Sequence, residues 1–303
     1  MMTLPEIPHD NWRATKNTLH LYFQIVGKIR MSMHPRVNHW WHVPLYVSAR
    51  GLTTRTIPHA GGNFEIEFDF CEHALKIKTS DGRYEDFALF DGLTVADFYA
   101  SIFANLAKLG IRPEIRAEPY EAPSTTPFAD DHENKSYVKE YVERSHQILV
   151  AVDDIFVEFR GRFIGKSTPV HLFWHSFDLA LTRFSGKPAP PMPEANIVTR
   201  EAYSHEVISF GFWFGDDKES SVAAPAFYSY TAPAPAGLKD EPLKPDSAFW
   251  TPDGSMALVL YDDVRKSVDP RAAVLDFLES AYQAGATRAG WNIEEYTLRS
   301  LRS

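Results

Sequence analysis

Two runs of the sequence place tryptophan, histidine and arginine at the same spacing. The first is Trp41–Arg50 and the second is Trp174–Arg183; each begins with Trp-His, continues for seven residues and ends with Arg. Histidine can act as an acid, a base or a metal ligand near neutral pH. The arginine fork suits carboxylate or phosphate groups, and tryptophan offers a face on which a planar group can stack. The runs therefore predict a pocket for an anionic or planar small molecule.

Side-chain direction decides which of these residues can act together. Both runs are rich in aromatic and β-branched residues, which is typical of strands. Because residues two apart on a strand share a face, His42 and Arg50 are predicted to point the same way. By the same rule His171, His175 and Arg183 share one face of the second run. We expect any site to lie where these faces turn inward, with the second run as the better candidate.

The candidate ligand-binding residues follow from these side-chain types, and each has a structural alternative. The arginines could simply pair with strand carboxylates such as Glu65, Glu67 or Glu206. The histidines could be hydrogen-bonded core residues, since paired or buried groups are only probabilistic markers of function. The candidates are His42, Arg50, His171, Trp174, His175, Arg183 and Glu206.

A metal site is a second hypothesis. His171, His175 and His205 offer nitrogen ligands for zinc or another divalent ion, and Glu206 offers a carboxylate. On a strand, however, a spacing of four places two side chains about 13 Å apart, which is too far for one ion. Neighbouring residues of a regular strand also point to opposite faces. The metal signal is therefore weak, and no His-Glu-x-x-His, phosphate-binding, dinucleotide-binding or nucleophile-elbow motif implies a cofactor.

Composition restricts the class of protein. The chain has 303 residues, of which 44% are hydrophobic, enough for one large domain or two of ordinary size. A net charge of -9 argues against a general nucleic-acid binder. Cys71 is the single cysteine, so neither an intrachain disulfide nor a cysteine-based zinc site can form. With no signal-peptide pattern and no apolar run of about 18 residues, we expect a cytoplasmic protein without a membrane segment.

The first half of the chain predicts a helix, a set of strands and a second helix. Phe64–Phe70 alternates apolar and acidic residues, which indicates a strand with one buried face. Gly27 is predicted to end the first helix, because glycine tolerates the positive φ of a helix terminus. Thr94 with Asp97 forms a capping pattern for the second helix. The predicted elements are a helix from 11 to 27, strands at 28–33, 40–48, 64–70, 74–79 and 84–90, and a helix from 94 to 109.

The second half repeats this order. A helix is predicted over Lys135–Phe163, and Asp269-Pro270 begins another with proline in the first turn. Strands are predicted around the second Trp-His run and over 206–214, 226–231 and 256–261. We therefore predict an α+β protein of two pseudo-symmetric halves, each with a helix, three to four mostly antiparallel strands and a helix. The halves are 1–118 and 129–303, with a Pro-rich linker at 119–128, and they are expected to pack as one unit through an internal duplication.

Several longer runs resemble those of a family of uncharacterised bacterial proteins that carries a domain-of-unknown-function label. They are His39–Tyr46, Phe64–Phe70 and Glu201–Ser209, supported by Phe163–Lys166 and Arg183–Gly186. The resemblance covers nearly the whole chain and its motifs are specific. It implies a bacterial cytoplasmic protein and supplies neither an activity nor site residues.

Three functional hypotheses remain open on the sequence alone. The leading one is a small-molecule binding protein whose aromatic, histidine and arginine side chains hold an anionic or planar ligand between the halves. The second is a hydrolase-type enzyme that uses histidine and glutamate, with or without a metal. The third is a structural or interaction protein whose aromatic faces are all core. No nucleic-acid or membrane partner is expected, and the sequence does not indicate an oligomeric state.

Overall fold

A computed structural model describes residues 4–122, 124–216 and 222–298. The chain forms an α+β fold in which two antiparallel sheets are flanked by helices. The helices are α1 (His9–Met33), α2 (Val95–Lys108), α3 (Lys139–Gly161), α4 (Ile197–Ala202), α5 (Tyr261–Arg265), α6 (Pro270–Arg288) and α7 (Ile293–Tyr296). The strands are β1 (Tyr46–Val47), β2 (Gly51–Thr53), β3 (Ile57–His59), β4 (Gly62–Asp69), β5 (Ala74–Thr79), β6 (Tyr84–Ala88), β7 (His171–Phe173), β8 (Asp178–Pro188), β9 (His205–Trp213), β10 (Ala226–Ala232), β11 (Phe249–Trp250) and β12 (Ala257–Leu260).

The first sheet has the order β1-β2-β4-β5-β6, with β3 paired to β4. Its central strand confirms the predicted alternation. Phe68 turns its ring toward Phe23 of α1 and Phe98 of α2. On the opposite face, Asp69 accepts hydrogen bonds from Arg50 and Lys76. One side of the sheet is therefore core, and the other side carries ion pairs.

The second sheet has the order β7-β8-β9-β10-β12-β11. Helices α3 and α6 pack on one of its faces. Gly285 of α6 lies so close to β10 that an added Cβ would come 2.3 Å from the hydroxyl oxygen of Thr231. The other face is not covered by these helices, and it forms the floor of the cavity described below.

The two halves repeat one order of elements. Each has a long helix, a meander of antiparallel strands and a second helix, with α1 and α3 opening the halves and α2 and α6 following their sheets. The first strands of the two meanders meet edge to edge. Leu45, next to β1, and Leu172 of β7 exchange backbone hydrogen bonds of 2.9 and 2.8 Å. The predicted two-part α+β architecture is thus confirmed.

The end of the first helix was predicted wrongly. Helix α1 continues through Gly27 to Met33, so the predicted strand at 28–33 does not exist. Gly27 lies under the indole of Trp174, where a Cβ would come 2.1 Å from the Cδ1 atom of that ring. The glycine is needed for close packing, and its freedom to adopt positive φ is not used.

The Trp-His runs were also misassigned. Trp41 and His42 lie in a turn after a 3-10 helix at Asn38–Trp40, and only two residues of the predicted strand at 40–48 belong to β1. Trp174 and His175 lie in the turn between β7 and β8. Each Trp-His pair therefore precedes a change of chain direction, and the rule that places residues two apart on one face does not extend across it.

The helix starts predicted at Thr94 and Asp269 are confirmed. Thr94 accepts a hydrogen bond from the backbone N–H of Asp97 at the start of α2. Asp269 does the same for the backbone N–H of Ala272 at the start of α6, with Pro270 in the first turn. These signals succeed because both partners lie within one turn of each other in the sequence.

The Gly27–Trp174 contact can be tested by adding one methyl group. Alanine is a better helix former than glycine by about 1 kcal/mol, but a Cβ at position 27 would overlap the indole. Overpacking of this kind costs about 1–3 kcal/mol. We therefore expect Gly27→Ala to lower the free energy of unfolding, measured by urea denaturation.

The matched control is Gly161→Ala at the end of α3, where an added Cβ meets no atom within 4 Å. This variant should be neutral or slightly more stable. Equal stability changes in the two variants would contradict the packing argument.

Candidate functional site

A cavity of about 1380 Å³ lies against the open face of the second sheet. Alternate residues of the strands form its floor, since side chains two apart on a strand share a face. Helix α1, the segment 116–122 and the segments 39–43 and 249–256 contribute walls. The floor residues are Asp178, Ala180, Thr182 and Phe184 of β8, Val207, Ser209 and Trp213 of β9, Tyr228 and Tyr230 of β10, and Leu258 of β12.

Helix α1 holds two neighbouring segments in place around the cavity. Gln24 donates to the backbone oxygen of Tyr120 at 2.7 Å and accepts from its backbone N–H at 2.8 Å. His20 donates from Nε2 to the backbone oxygen of His175 at 3.0 Å. The residues predicted as a linker at 119–128, of which Pro123 lies outside the described residues, therefore include part of the cavity wall.

Aromatic rings supply much of the cavity surface. The rings of Tyr228 and Tyr230 are stacked, with centroids 6.2 Å apart and planes inclined by 12°. The hydroxyl of Tyr230 lies 3.0 Å from that of Tyr203. Further rings that line the cavity are Trp40, Trp41, Phe173, Trp174, Phe184, Trp213 and Phe249. Rigid aromatic walls favour ligands with a flat apolar body.

Asp178 is the acidic group of the floor, and its side chain is 7% exposed. The hydroxyls of Tyr228 and Ser176 donate to its two carboxylate oxygens. Gly211 makes this arrangement possible, because a Cβ there would come 2.2 Å from Cζ of the Tyr228 ring. Burial raises the pKa of Tyr228 well above its ordinary value, with the Asp178 charge as a second cause. Tyr228 therefore stays protonated and remains a donor to the carboxylate.

Like Lys16, Lys28 is a basic group of the α1 wall, and it is 5% exposed. Its Nζ lies 5.8 Å from the centroid of the Trp174 ring, within reach of a cation–π interaction. Within the described segments, no acidic oxygen forms an ion pair with this ammonium. Burial lowers the pKa of Lys28, the positive charge of Arg116 lowers it further, and Glu118 acts in the opposite sense.

His175 lines the cavity in the turn before β8, half-buried among rings. Its ring centroid lies 5.4 Å from that of Phe173 and 6.4 Å from that of Tyr120. Burial lowers the pKa of His175, although the Asp178 charge raises it. A neutral imidazole that faces the cavity can accept or donate one hydrogen bond to a ligand.

Arg183 does not reach the cavity. It lies on the helix-covered face of β8, 2% exposed, and Nη2 donates to the backbone oxygen of Phe159 at 2.6 Å. Its guanidinium carbon lies 3.6 Å from the centroid of the Phe159 ring and 4.4 Å from that of Tyr282. Burial lowers its pKa to about 10. The prediction that it shares a face with His175 was wrong. His175 lies in the turn before β8, and the alternation of side chains between the two faces of a strand does not continue through a turn.

His42 and Arg50 also lie outside the cavity lining. The Nδ1 atom of His42 accepts from the backbone N–H of Val37 at 3.2 Å, and its ring stacks on Trp40. Arg50 pairs with Asp69 at 2.6 Å, on the polar face of the first sheet. Although burial of the Asp69 carboxyl raises its pKa, the hydrogen bonds from Arg50 and Lys76 bring that pKa well below its ordinary value.

His171 is fully buried beside Tyr46 and Phe173. Neither ring nitrogen has a hydrogen-bond partner among the described residues. Burial lowers the pKa of His171 to about 3, and the charges of Arg55 and Arg30 act in the same direction. The ring is therefore neutral at physiological pH.

The remaining candidates lie at the start of β9. Glu206 accepts from the hydroxyl of Ser185 at 2.8 Å, and His205 contacts the ring of His39 with centroids 5.5 Å apart. Neither residue belongs to the cavity lining. A search of residues 4–122, 124–216 and 222–298 finds no group of three or more His, Cys, Asp or Glu side chains placed to hold a metal ion.

Of the predicted residues, the cavity therefore contains Trp174 and His175. Lys28, Asp178 and Tyr228 were missed. The alternation in Ala226–Ala232 was an available signal, because Tyr228 and Tyr230 share one face while Phe227 and Thr231 share the other. No comparable signal existed for Lys28, because the helix that carries it was predicted to end at the preceding residue.

Comparison with known proteins gives a family but no activity. The model of a family of unknown function, DUF5996, matches residues 4–298. The chain belongs to this family. The resemblance proposed from the sequence runs is thus confirmed at the level of an uncharacterised family. No curated protein and no solved structure matches the chain. Among the described residues, none of this DUF5996 member's helices combines the length and apolarity needed to cross a bilayer.

The buried neutral His171 predicts a loss of stability in acid. Its folded pKa lies below the unfolded value of about 6.5, so its contribution is complete above pH 6.5 and is lost as the pH falls toward 3. Between pH 8 and pH 5 it should lower the free energy of unfolding by about 2 kcal/mol. We expect His171→Phe to reduce the measured pH dependence by this amount in urea titrations at the two pH values.

The exposed His132 provides the control variant His132→Phe, which should keep the full decrease of the wild-type protein. An unchanged pH dependence in His171→Phe would show that folding does not lower the pKa of His171.

Because Lys28 has no ion-pair partner among the described residues, we predict that removing its ammonium stabilises the protein. A buried charge without a partner is costly, and methionine has a similar length and a flexible apolar side chain. We expect Lys28→Met to raise the free energy of unfolding by about 1 kcal/mol, measured without ligand. A decrease of similar size would show that the ammonium has a stabilising partner.

Proposed function

We propose that the protein binds a small molecule that carries an anionic group on a planar body. The observation that carries this proposal is Lys28, a buried ammonium at the wall of a large cavity without an acidic partner among the described residues. Sites that keep a destabilising charge commonly do so for function. An anionic ligand would restore the missing electrostatic partner.

The rest of the lining supports the planar body. Trp174 lies beside the ammonium, and the stacked pair Tyr228–Tyr230 covers part of the floor. Ligand sites are usually apolar concavities with a few polar groups that set orientation, and this cavity fits that description. The proposal keeps Trp174 and His175 from the predicted set and replaces Arg50 and Arg183 with Lys28 as the cation.

A hydrolase-type enzyme is the second candidate, and one observation favours it. His175 and Asp178 face the same cavity, and the Asp178 charge acts on the imidazole. A neutral histidine beside a carboxylate can serve as a general base. Ser176 is nearby, but its hydroxyl donates to Asp178 and is not placed against the His175 ring. Binding is therefore better supported than nucleophilic catalysis.

We also propose that this is a bacterial cytoplasmic protein whose halves arose by duplication. The single cysteine, Cys71, suits a reducing compartment. The repeated order of helix, antiparallel meander and helix supports duplication. Bacterial origin rests on the resemblance of the sequence runs.

The proposal is tested with two probes of nearly the same shape, of which one is charged and one is neutral: 6-methylnaphthalene-2-carboxylate and its carboxamide. Quenching of tryptophan fluorescence gives the dissociation constants, because Trp41, Trp174 and Trp213 line the cavity. Hydrogen bonds to charged groups contribute about 1.5–3 kcal/mol. The carboxylate should therefore bind at least about tenfold more tightly than the amide, and Lys28→Gln should remove this preference.

Lys139 is exposed at the start of α3, so Lys139→Gln is the matched loss of charge and should keep the preference. If neither probe binds saturably, the interpretation as a structural or interaction protein gains support. Binding without dependence on Lys28 would place the anion elsewhere.

A further inference from the structure

The cavity lining includes buried charges of both signs, among which Lys28 and Asp178 do not neutralise each other. Lys28 lies on the α1 wall and Asp178 on the floor, and they are 5% and 7% exposed. An ion pair requires an approach within 4.0 Å, and no such pair joins them or joins Asp178 to any cation of the described residues. Transfer of an isolated charge from water into a protein interior is unfavourable unless a partner is present. Each charge therefore needs a compensating group.

The hydrogen bonds of Asp178 leave part of its capacity unused. An ionised carboxylate offers about four acceptor positions, and within the described segments the hydroxyls of Ser176 and Tyr228 are its donors. Both donors are neutral. The free positions lie at the cavity floor, because Asp178 itself lines the cavity.

The charged groups around Asp178 do not supply the missing cation. The Asp178 charge acts on His175, but burial lowers the pKa of this histidine and favours its neutral form. His20 donates to the backbone of the same turn and is also held neutral, since burial lowers its pKa to about 4. Lys16 donates to the backbone oxygen of Gly215. The floor thus keeps a negative centre that faces the open volume.

Asp178 is also held in position on all sides. It pairs in register with Trp213 of β9. The Tyr228 ring that binds it lies over Gly211, where an added Cβ would come 2.2 Å from Cζ of that ring. A preorganised carboxylate binds a donor with little loss of conformational entropy.

We propose that the ligand is bipolar: a planar molecule with an anionic group for Lys28 and, at its other end, an ammonium, amidine or similar donor for Asp178. This inference rests on the proposed function and extends it to a ligand class. One such molecule compensates both buried charges at once, whereas a simple anion adds no partner to Asp178, which has no ion pair with a described residue. The aromatic rings of the cavity lining would accommodate the planar body.

The test compares probes that differ by one amino group. The pairs are 6-(aminomethyl)naphthalene-2-carboxylate against 6-methylnaphthalene-2-carboxylate, and the shorter 4-(aminomethyl)benzoate against 4-methylbenzoate. In the wild-type protein, the amine should tighten binding by at least about tenfold in one pair, the one whose length matches the separation of the two centres. Asp178→Asn should abolish this gain, and Asp178→Glu, which restores the charge, should recover part of it.

Asp276→Asn is the matched control, because Asp276 is exposed on α6, which packs on the other side of the second sheet. It should retain the full gain. If Asp178→Asn does not fold, Tyr228→Phe serves in its place: it removes one neutral donor from the carboxylate, so the amine gain should persist or increase.

The outcomes separate the two proposals. Carboxylate binding that depends on Lys28 but is indifferent to the amine in both pairs would overturn the bipolar ligand and leave the proposed function intact. An amine gain that survives in Asp178→Asn would also overturn it. Failure of every probe to bind would overturn the proposed function itself.

Discussion

The contact between Gly27 and Trp174 is the constraint on which the rest of the structure depends. The indole lies against bare backbone in the middle of α1, and its Nε1 donates to the backbone oxygen of Val43 at 3.0 Å. One side chain of the second half thereby fixes the first helix and the first Trp-His turn of the other half. The same contact places Lys28, the next residue of the helix, beside the indole at the cavity wall.

The cavity combines a well-packed frame with groups that destabilise the empty protein. Around the cavity the aromatic rings pack against one another. The side-chain amide of Gln24 donates a hydrogen bond to the backbone oxygen of Tyr120 and accepts one from its backbone N–H. Within the cavity Lys28 and Asp178 lack charged partners among the described residues. Functional sites commonly contain groups that lower the stability of the protein. Here these two charged groups lie on the surface that a ligand would contact. This contrast separates the cavity from the first sheet, where Arg50 and Asp69 form an ion pair with each other.

Strand parity explains why only some of the predicted residues reach the cavity. On β8, Asp178 and Thr182 face the open side, whereas Arg183 faces α3 and α6. His175 joins the open side because it belongs to a turn and not to the strand. An error of one residue in the alternation assigned to a strand places a side chain on the opposite face of the sheet. Reading the second Trp-His run as one continuous strand produced such an error.

The sequence by itself determined the features that depend on neighbours along the chain: the alternation of Phe64–Phe70, the caps at Thr94 and Asp269, the two-part α+β order and membership of an uncharacterised family. Only the tertiary structure decided what depends on distant partners. A glycine looks the same in the sequence whether it ends a helix or allows a ring to pack closely against the helix. At Gly27 the packed ring is the indole of Trp174, which is distant along the chain. Likewise, Lys28 and Asp178 share a cavity although 150 residues separate them along the chain. Burial of a charge without a partner is a property of that three-dimensional surrounding, so no spacing along the chain could have revealed it.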